Sequence, residues 1–509
     1  MTAAKRIILN DDGWILSAIT TPLDAKTIKE RMIDTYTDSN LHTLSWCVGD
    51  SSQSSYESDE VLAEIKEISP RWLNQNRKMV NIKRLVDEGD GPLTTITRLG
   101  HQAGLRVLPS LRMNSHYDPS LNSRGVAPIR RDHPEYLIGY PETEFITNTL
   151  HWGVRTGLNY ARPEVRKHVA SLIIDLFESF DTDGVELDFM RHPTFFKIEE
   201  AYSSRHLMTD MMRYVRQRMN EVKAASNRDL ELLVRVPPAF ADSERIGLDV
   251  ETWIRESIVD TVAVGGGFIP LHSSIREFVE TAKGTDVQIL GSLESLRLAV
   301  DDESNYANAA RAYAEGASGL YMFNYWHKSA DWKRRVLNTL ADSKSLASTK
   351  KRYQLEFNER LAPNDLHSYS FRHAIPWVQL PVLLGDSLTN KGAVIKLALA
   401  DEGEEETRFT LKLSFENLTP EDEIEVVINA IPLPSVDQQR TFGKWQRDEW
   451  TEFPKRVATS EYEGGVIQYS LNQPPLKQGT NLIELITIAR TVMQNKSLIL
   501  RDVELAVEH

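Results

Sequence analysis

Up to about residue 340, hydrophobic and polar positions repeat one pattern along the chain. A short β-branched or aliphatic run is followed by a polar or glycine-rich stretch and then by an amphipathic helical stretch. Strands that alternate with helices in this way indicate parallel β–α units. Eight such runs over this length predict a (β/α)8 TIM barrel, an α/β fold. The predicted strands are residues 6–10, 42–48, 105–111, 184–189, 231–236, 261–266, 287–292 and 319–325.

Beyond about residue 350 the helical pattern nearly vanishes, and short strand-like runs separated by Pro, Asn and Gly follow one another. Many short strands with turn residues between them predict a C-terminal antiparallel β-sandwich. These runs are residues 406–418, 423–433, 464–471, 481–490 and 497–507. We therefore predict a barrel domain over 1–345 and a sandwich domain over 350–509, with the charged segment 343–354 as the linker.

Composition narrows the classes of partner and location. The chain has 509 residues, 41% hydrophobic and 26% charged, and a formal net charge of −14, which argues against nucleic acid or an anionic membrane as partner. No run approaches the ~18 apolar residues of a membrane span. The single cysteine, Cys47, excludes an intrachain disulfide framework and a multi-cysteine metal site. Because the first residues lack an apolar signal region, we expect a cytoplasmic protein, or a periplasmic or secreted one if a leader has been removed.

The sharpest chemical signal is the run DGVELDFMRHPTFF at 183–196, at the end of the fourth predicted strand. Side chains alternate across a strand, so Glu186 and Asp188 share one face while the apolar residues between them share the other. Helices cover the outside of a barrel, and we expect the apolar face to pack against them. Both carboxylates then point into the barrel, with Asp188 nearer the rim where barrel active sites lie.

Asp188 is the residue that we expect the chemistry to need most, because an inward acid has no packing reason to be there. Replacing it with Asn is expected to leave stability nearly unchanged, as for a carboxylate tolerated only for function. For Glu186, the sequence leaves open a supporting catalytic role or a structural ion pair, for example with Arg235 on the fifth strand.

Other polar residues follow the predicted strand ends. Arg191 and His192 could hold or protonate a sugar, or could tether the loop. Glu294, after the seventh strand, is placed as the partner acid of a barrel glycosidase, with a helix N-terminal acid as the alternative. After the eighth strand, Asn324, Tyr325 and Trp326 predict a sugar-binding platform, or else ordinary packing at the rim.

The loop after the third strand, residues 112–158, is much longer than is usual between a strand and a helix. It contains Arg112, His116 and Trp152, and its wealth of His, Arg and aromatic residues predicts a lid over the substrate, with a solvated loop as the alternative. Asp11 and Asp12 after the first strand have no further ligands at metal-binding spacing, so we predict neither a metal nor a cofactor.

Two longer segments carry a family resemblance. GLNYARPEVRKHVASLIIDLFESFDTDGVELDFMRHPTFF (157–196) and GLDVETWIRESIVDTVAVGGG (247–267) resemble the glycosyl-hydrolase-like barrel proteins of bacteria. The resemblance covers the barrel, and the C-terminal module looks like the sandwich that these proteins carry. It implies a carbohydrate-active barrel with an acid at the end of strand four, here Asp188.

Three functions remain open at this point. The first is a glycoside hydrolase that uses Asp188 and Glu294 as its carboxylate pair on a neutral or anionic oligosaccharide. However, the Asn-Glu pair that retaining enzymes of the largest glycosidase clan place after strand four is absent. The second is a lyase or dehydratase on uronic-acid oligosaccharides, with His116 or a tyrosine as base and Arg112, Arg191 and His192 around the substrate carboxylate. The third is a non-catalytic sugar-binding protein.

Overall fold

The protein was analysed as a computed structural model. It describes residues 4–20, 22–67, 76–115, 127–141, 154–265, 274–294, 301–355, 379–384, 392–402, 407–452, 456–472, 474–490 and 496–509.

Eight parallel strands close into a barrel, which confirms the predicted fold. Each strand pairs with its neighbours in chain order, and β1 pairs with both β2 and β8 to close the ring. A two-residue strand, Gln53–Ser54, pairs antiparallel with the end of β2. The barrel strands are β1 (Arg6–Asp11), β2 (Thr43–Asp50), β3 (Arg106–Arg112), β4 (Gly184–Asp188), β5 (Glu231–Val236), β6 (Thr261–Val264), β7 (Gln288–Glu294) and β8 (Gly319–Phe323).

Helices between the strands cover the barrel. Several begin at a residue whose side chain accepts a hydrogen bond from the first turn, as Asp24 and Ser329 do, which satisfies an otherwise unpaired N–H group. None of the described helices is long and apolar enough to cross a membrane. The α-helices of this part are Ile15–Ala18, Ala25–Arg31, Asp59–Glu67, Arg77–Asp87, Pro92–Gln102, Pro128–Asp132, Pro163–Glu178, Ile198–Ser226, Phe240–Arg245, Val250–Arg255, Arg276–Ala282, Asp302–Ala314, Ala330–Ala341 and Ser343–Ala347, with 3-10 turns at Ile33–Tyr36, Pro134–Tyr136 and Tyr325–His327.

Alternation along the strands separates two apolar regions. Val185 and Leu187 of β4 face outward into the large core that the helices cover. The interior of the barrel holds a smaller cluster of side chains. Its members are Ile8, Leu108, Leu233, Ala263, Leu290, Tyr321 and Phe323. Below this cluster, at the N-terminal end of the strands, Arg6 pairs with Glu231 at 2.6 Å. The acids of β4 point into the barrel, as the alternation predicted.

The C-terminal part consists of two antiparallel sheets, as predicted. One contains, in spatial order, Lys351–Gln354, Leu498–Glu508, Arg408–Glu416, Arg456–Asn472 and Gln439–Glu452, with Val382–Leu384 paired to Leu498–Glu508. The other contains, in order, Ala393–Leu399, Gly479–Ala489, Glu423–Ile428 and the two-residue strand Ile431–Pro432. A short 3-10 turn, Ser435–Asp437, precedes the longest hairpin.

The predicted linker over 343–354 is wrong, because this segment forms a helix, Ser343–Ala347, and a strand, Lys351–Gln354. Charge made the segment look solvated, yet Lys351 is buried. Its ammonium group is 3.0 Å from the Asp401 carboxylate and also donates to two backbone carbonyls. The domain boundaries at 345 and 350 stay predictions.

The barrel and the sandwich share a packed contact. Ala307, on the barrel helix Asp302–Ala314, belongs to the apolar core of the sandwich. At its edge, Arg352 contacts Asp301 at 2.8 Å and Glu303 at 2.9 Å. The first strand of the sandwich is therefore fixed to the barrel by both apolar and ionic contacts.

Because Lys351 is buried, removing its counter-ion should destabilise the fold strongly. We expect Asp401→Ala to lower the free energy of unfolding by about 3–5 kcal/mol, the usual loss when a buried pair is broken. The control is Glu461→Ala, which breaks an exposed pair with Lys444 and should cost no more than about 1 kcal/mol. Denaturant unfolding of both variants measures the difference, and equal losses would contradict a buried ion pair.

Candidate active site

The acid at the end of β4 forms a buried ion pair. Asp188 has 2% of its surface exposed, and one of its oxygens lies 3.1 Å from Nη1 of Arg235 on β5. Its other oxygen accepts a hydrogen bond from the N–H of Met190 at 2.8 Å. The strand register places Asp188 directly beside Arg235. Of the two alternatives left open for Glu186, the ion pair with Arg235 is not the one formed, because Asp188 is the carboxylate within hydrogen-bond reach of Arg235.

Glu186 lies deeper in the barrel and is held by hydroxyl and amide groups. Tyr321 donates to it at 2.6 Å, Ser45 donates to its other oxygen, and the Asn10 amide lies 3.4 Å from both oxygens. Burial and the nearby charge of Asp188 raise the pKa of Glu186. Because Glu186 lies deeper in the barrel than Asp188, its position suits a supporting role beneath the residues at the rim.

Arg235 links the carboxylates into one cluster. Burial lowers the pKa of its guanidinium, but the nearby acids, Asp188 first and then Glu294 and Glu186, outweigh this and raise it. The guanidinium carbon lies 3.7 Å from the centre of the Phe323 ring, a cation–π contact. Its Nε and Nη2 atoms are buried and have no hydrogen-bond partner among the described residues. The cation thus lies within the influence of acids from two separate strands.

The other acid and the basic residues after β4 are also buried at this end. Glu294 closes β7, in register with Phe323, and has 5% of its surface exposed. Arg191 and His192 directly follow β4 and are 7% and 2% exposed. The structure therefore brings Asp188 and Glu294 to the same end of the barrel, as predicted, whereas their catalytic roles stay predictions.

The predicted lid is only partly described. Arg112, at the end of β3, forms an ion pair with Asp12, so its charge is balanced within the protein. His116 and Trp152 lie outside the described residues. Among those that the structure describes, no group of three or more His, Cys, Asp or Glu side chains is arranged to hold a metal ion.

After β8, the three predicted platform residues separate. Asn324 adopts a left-handed backbone conformation, with φ of 63°, and its N–H donates to Asn10. Tyr325 is buried, donates to Asn305 at 2.6 Å and stacks on Trp332, which is the geometry of a packing residue. Trp326 is half-buried and its ring stacks on another indole, that of Trp14.

Sequence reasoning missed Trp14 and gave too little weight to Arg235. Trp14 follows β1, some three hundred residues from its partner, and only barrel closure brings the two together. Arg235 could have been found, since it occupies an inward position on β5 beside an inward acid. The neighbouring Asp11 is fully buried, and its two oxygens accept hydrogen bonds from the N–H groups of Gly13 and the Trp14 ring.

The ion pair reverses the expectation that Asp188→Asn leaves stability unchanged. We expect Asp188→Asn and Arg235→Met each to lower the free energy of unfolding by about 3–5 kcal/mol, because each leaves a buried charge without its partner. The double variant should lose less than the sum of the two, by roughly 0.5–3 kcal/mol. Denaturant unfolding of all four proteins measures this coupling, and strictly additive losses would show that the pair does not exist.

Burial raises the pKa of Asp11 to about 6 from its usual 3.8. The folded state then binds this proton more tightly than the unfolded chain, so Asp11 should reduce stability as pH rises from about 4 to 6, by on the order of 3 kcal/mol. We expect the stability of Asp11→Asn relative to the parent chain to increase over this interval and then level off. Urea unfolding at several pH values measures it, and a pH-independent difference would contradict the shifted pKa.

Residues 12–205 match the family model described as glycosyl hydrolase-like 10. This range includes β2 to β4, and with them Glu186 and Asp188. No curated protein sequence matches the chain.

Solved structures with a similar fold include several carbohydrate enzymes. A Paenibacillus cycloisomaltooligosaccharide glucanotransferase is 10% identical over 98% of this chain and 57% of its own, with a TM-score of 0.34. A family GH36 α-galactosidase from Geobacillus stearothermophilus is 11% identical over 96% and 56% of the two chains, with a TM-score of 0.37. A class V chitinase from Pseudomonas fluorescens is 11% identical over 67% of this chain and all of its own, with a TM-score of 0.37.

This chain spans little more than half the length of the glucanotransferase and the α-galactosidase. Similarity at this level carries no argument about the reaction. The family match supports a carbohydrate-active, glycosidase-type protein, without indicating a particular substrate or reaction. Together with the closed barrel, it confirms the resemblance to glycosyl-hydrolase-like barrel proteins that residues 157–196 indicated.

Proposed function

We propose that the protein is a glycoside hydrolase whose two reacting carboxylates are Asp188 and Glu294. The observation that carries this proposal is that Asp188 and Glu294 end β4 and β7 at the same end of the barrel, where Asp188 lies 3.1 Å from the guanidinium of Arg235. Barrel enzymes place their reacting groups at this end of the strands. Glycosidic bonds are usually cleaved between two carboxyl groups, one of them charged and the other protonated.

We give the two acids different roles. Asp188 contacts Arg235 directly at the end of β4, and we take it as the nucleophile or as the base that activates water. Glu294 is then the general acid that protonates the leaving oxygen. Glu186 lies deeper in the barrel than Asp188 and accepts hydrogen bonds from Tyr321 and Ser45. We take it as a positioning residue that holds the end of β4 in place along the barrel axis.

The rival elimination reaction is less well supported. A lyase needs an unpaired cation to bind the substrate carboxylate and to stabilise the enolate. Arg112, the residue best placed on β3 for that task, already pairs with Asp12, and Arg235 is paired with Asp188, although two of its nitrogens have no partner among the described residues. Hydrolysis asks no such cation of the site.

The test measures reducing ends released from glucan, galactan, chitin and uronan oligosaccharides. Asp188→Asn and Glu294→Gln should each lower the rate by about 10²–10⁴-fold, the usual contribution of acid–base groups. The matched control is Glu231→Gln, which alters a buried acid paired with Arg6 at the opposite end of the same barrel. Its rate should stay near that of the parent chain when all proteins are assayed well below their unfolding temperatures.

Three results would contradict the proposal. One is a parent chain that cleaves none of these oligosaccharides, and another is full activity in both rim variants. The third is a product with the ultraviolet absorbance of an unsaturated uronate, which would establish elimination instead.

A further inference from the structure

Two indole rings meet at the rim, where the first and last strands of the barrel are neighbours. Trp14 follows β1 and Trp326 follows β8, and these strands pair in parallel. The ring centres lie 5.0 Å apart with planes 15° from parallel. Both side chains are only half-buried. Each indole therefore covers one face of the other, and the stack lies at the same end of the barrel as Asp188, where an outer indole face is the surface on which a ligand can stack.

Trp14 is held in place by Asp11 and Gly13. The Asp11 carboxylate accepts from the indole N–H at 3.1 Å and from the Gly13 N–H at 2.9 Å. Gly13 has φ of +71°, and a Cβ there would lie 2.9 Å from the Cys47 carbonyl oxygen, so only glycine fits this turn. Burying an acid costs stability unless it is hydrogen-bonded. The hydrogen bonds that Asp11 accepts fix the orientation of the Trp14 ring.

His327 adds a hydrogen-bonding group beside the stack. Its ring is exposed and meets that of Trp326 edge-on, with centres 5.7 Å apart and an angle of 87°. Nδ1–H donates to the Asn324 carbonyl at 2.9 Å, so Nε2 is left as an acceptor. Burial of part of the ring and the nearby charges of Lys328 and Lys333 lower the pKa of His327, while its bond to Asn324 opposes them.

We propose that Trp14, Trp326 and His327 form one sugar-binding subsite of the barrel mouth, with Asp11 as its positioning residue. A pyranose ring of an uncharged oligosaccharide stacks its C–H face on the indoles and donates a hydroxyl hydrogen to Nε2 of His327. Ligand sites commonly join an apolar wall to a few polar groups in this way. The subsite rests on the proposed function for its substrate class, but it binds the sugar without taking part in bond cleavage.

The two lysines near the stack already contact other groups of the protein. Lys333 is buried, lies over the Tyr36 ring and donates to Thr35, and Lys328 lies over the Trp332 ring. Both cations thus have partners within the protein. The indole N–H of Trp326 is itself buried, with no hydrogen-bond partner in the part of the chain that the structure describes.

The full chain is titrated with cellohexaose, maltohexaose and N-acetylchitohexaose by calorimetry, and the hexamer that binds most tightly is used for the variants. Trp14→Ala and Trp326→Ala should each weaken binding by about tenfold or more, as for a buried aromatic anchor. His327→Ala should weaken it several-fold, and His327→Gln should recover part of the loss because its amide oxygen can accept. The control is Tyr214→Ala, which removes an exposed aromatic ring from an outer helix and should bind as the parent chain does.

Kinetics separate positioning from folding. Asp11→Asn should raise KM with little change in kcat, as expected when only substrate binding is lost, and should alter the near-ultraviolet circular dichroism of the stacked indoles. If Trp14→Ala fails to fold, Trp326→Ala and His327→Gln still decide the question.

Several results would overturn the subsite. These are no binding of any hexamer, tryptophan variants that bind like the parent chain, or a loss in Tyr214→Ala equal to theirs. The proposed function fails separately. If the tryptophans are needed for binding but no bond is cleaved, the subsite is supported and the hydrolase function is contradicted. If cleavage needs Asp188 but not the tryptophans, the hydrolase function is supported and the subsite is contradicted.

Discussion

The central constraint of this structure is a guanidinium group buried inside a closed ring of strands. Arg235 is fully buried and must be compensated from within the barrel, which Asp188 does at 3.1 Å. Isolated charges cannot be buried at this depth without several kcal/mol of desolvation cost. The contact between Asp188 and Arg235 therefore couples the positions of β4 and β5. It also determines how close to the rim Asp188 lies.

An arginine pairs with an acid at each end of the barrel, but the two arginines differ in how many of their nitrogens find hydrogen-bond partners. At the N-terminal end, both Nη atoms of Arg6 donate hydrogen bonds, to Glu231 and to residues of three other strands. Near the rim, Arg235 donates through one nitrogen and keeps two donors unpartnered among the described residues. Arg6 leaves only Nε without a partner among the described residues, so its network is more nearly satisfied than that of Arg235, and unsatisfied donors beside a carboxylate suit a place where a ligand binds. This asymmetry supports assigning chemistry to the C-terminal rim.

Sequence reasoning predicted the fold well because it depends on local patterns. All eight barrel strands lie where hydrophobic runs alternate with helices, and the inward direction of the β4 acids followed from a period of two. The partner of Arg235 did not follow, because alternation fixes the face of a side chain but not its height relative to the next strand. The linker over 343–354 was misjudged for a related reason: the sequence shows the charge of Lys351 but not the Asp401 carboxylate with which it pairs.

The aromatic pair shows a second limit. Trp14 and Trp326 are at opposite ends of the barrel sequence, and no local pattern relates them until β1 pairs with β8. Sites built at the point where a barrel closes are therefore the hardest to predict from sequence. They also join the first loop to the last, so that the rim is assembled only once the ring is complete.

The most direct test of the central claim is chemical rescue of Asp188→Gly with azide. Removing the side chain opens a cavity beside Arg235, and a small anion can occupy it, compensate the guanidinium and attack or activate water in place of the carboxylate. We predict that glycoside cleavage, lost in this variant, returns with rising azide concentration. Cleavage by Asp188→Gly at the parent rate without azide would contradict the assignment of Asp188 as a reacting group.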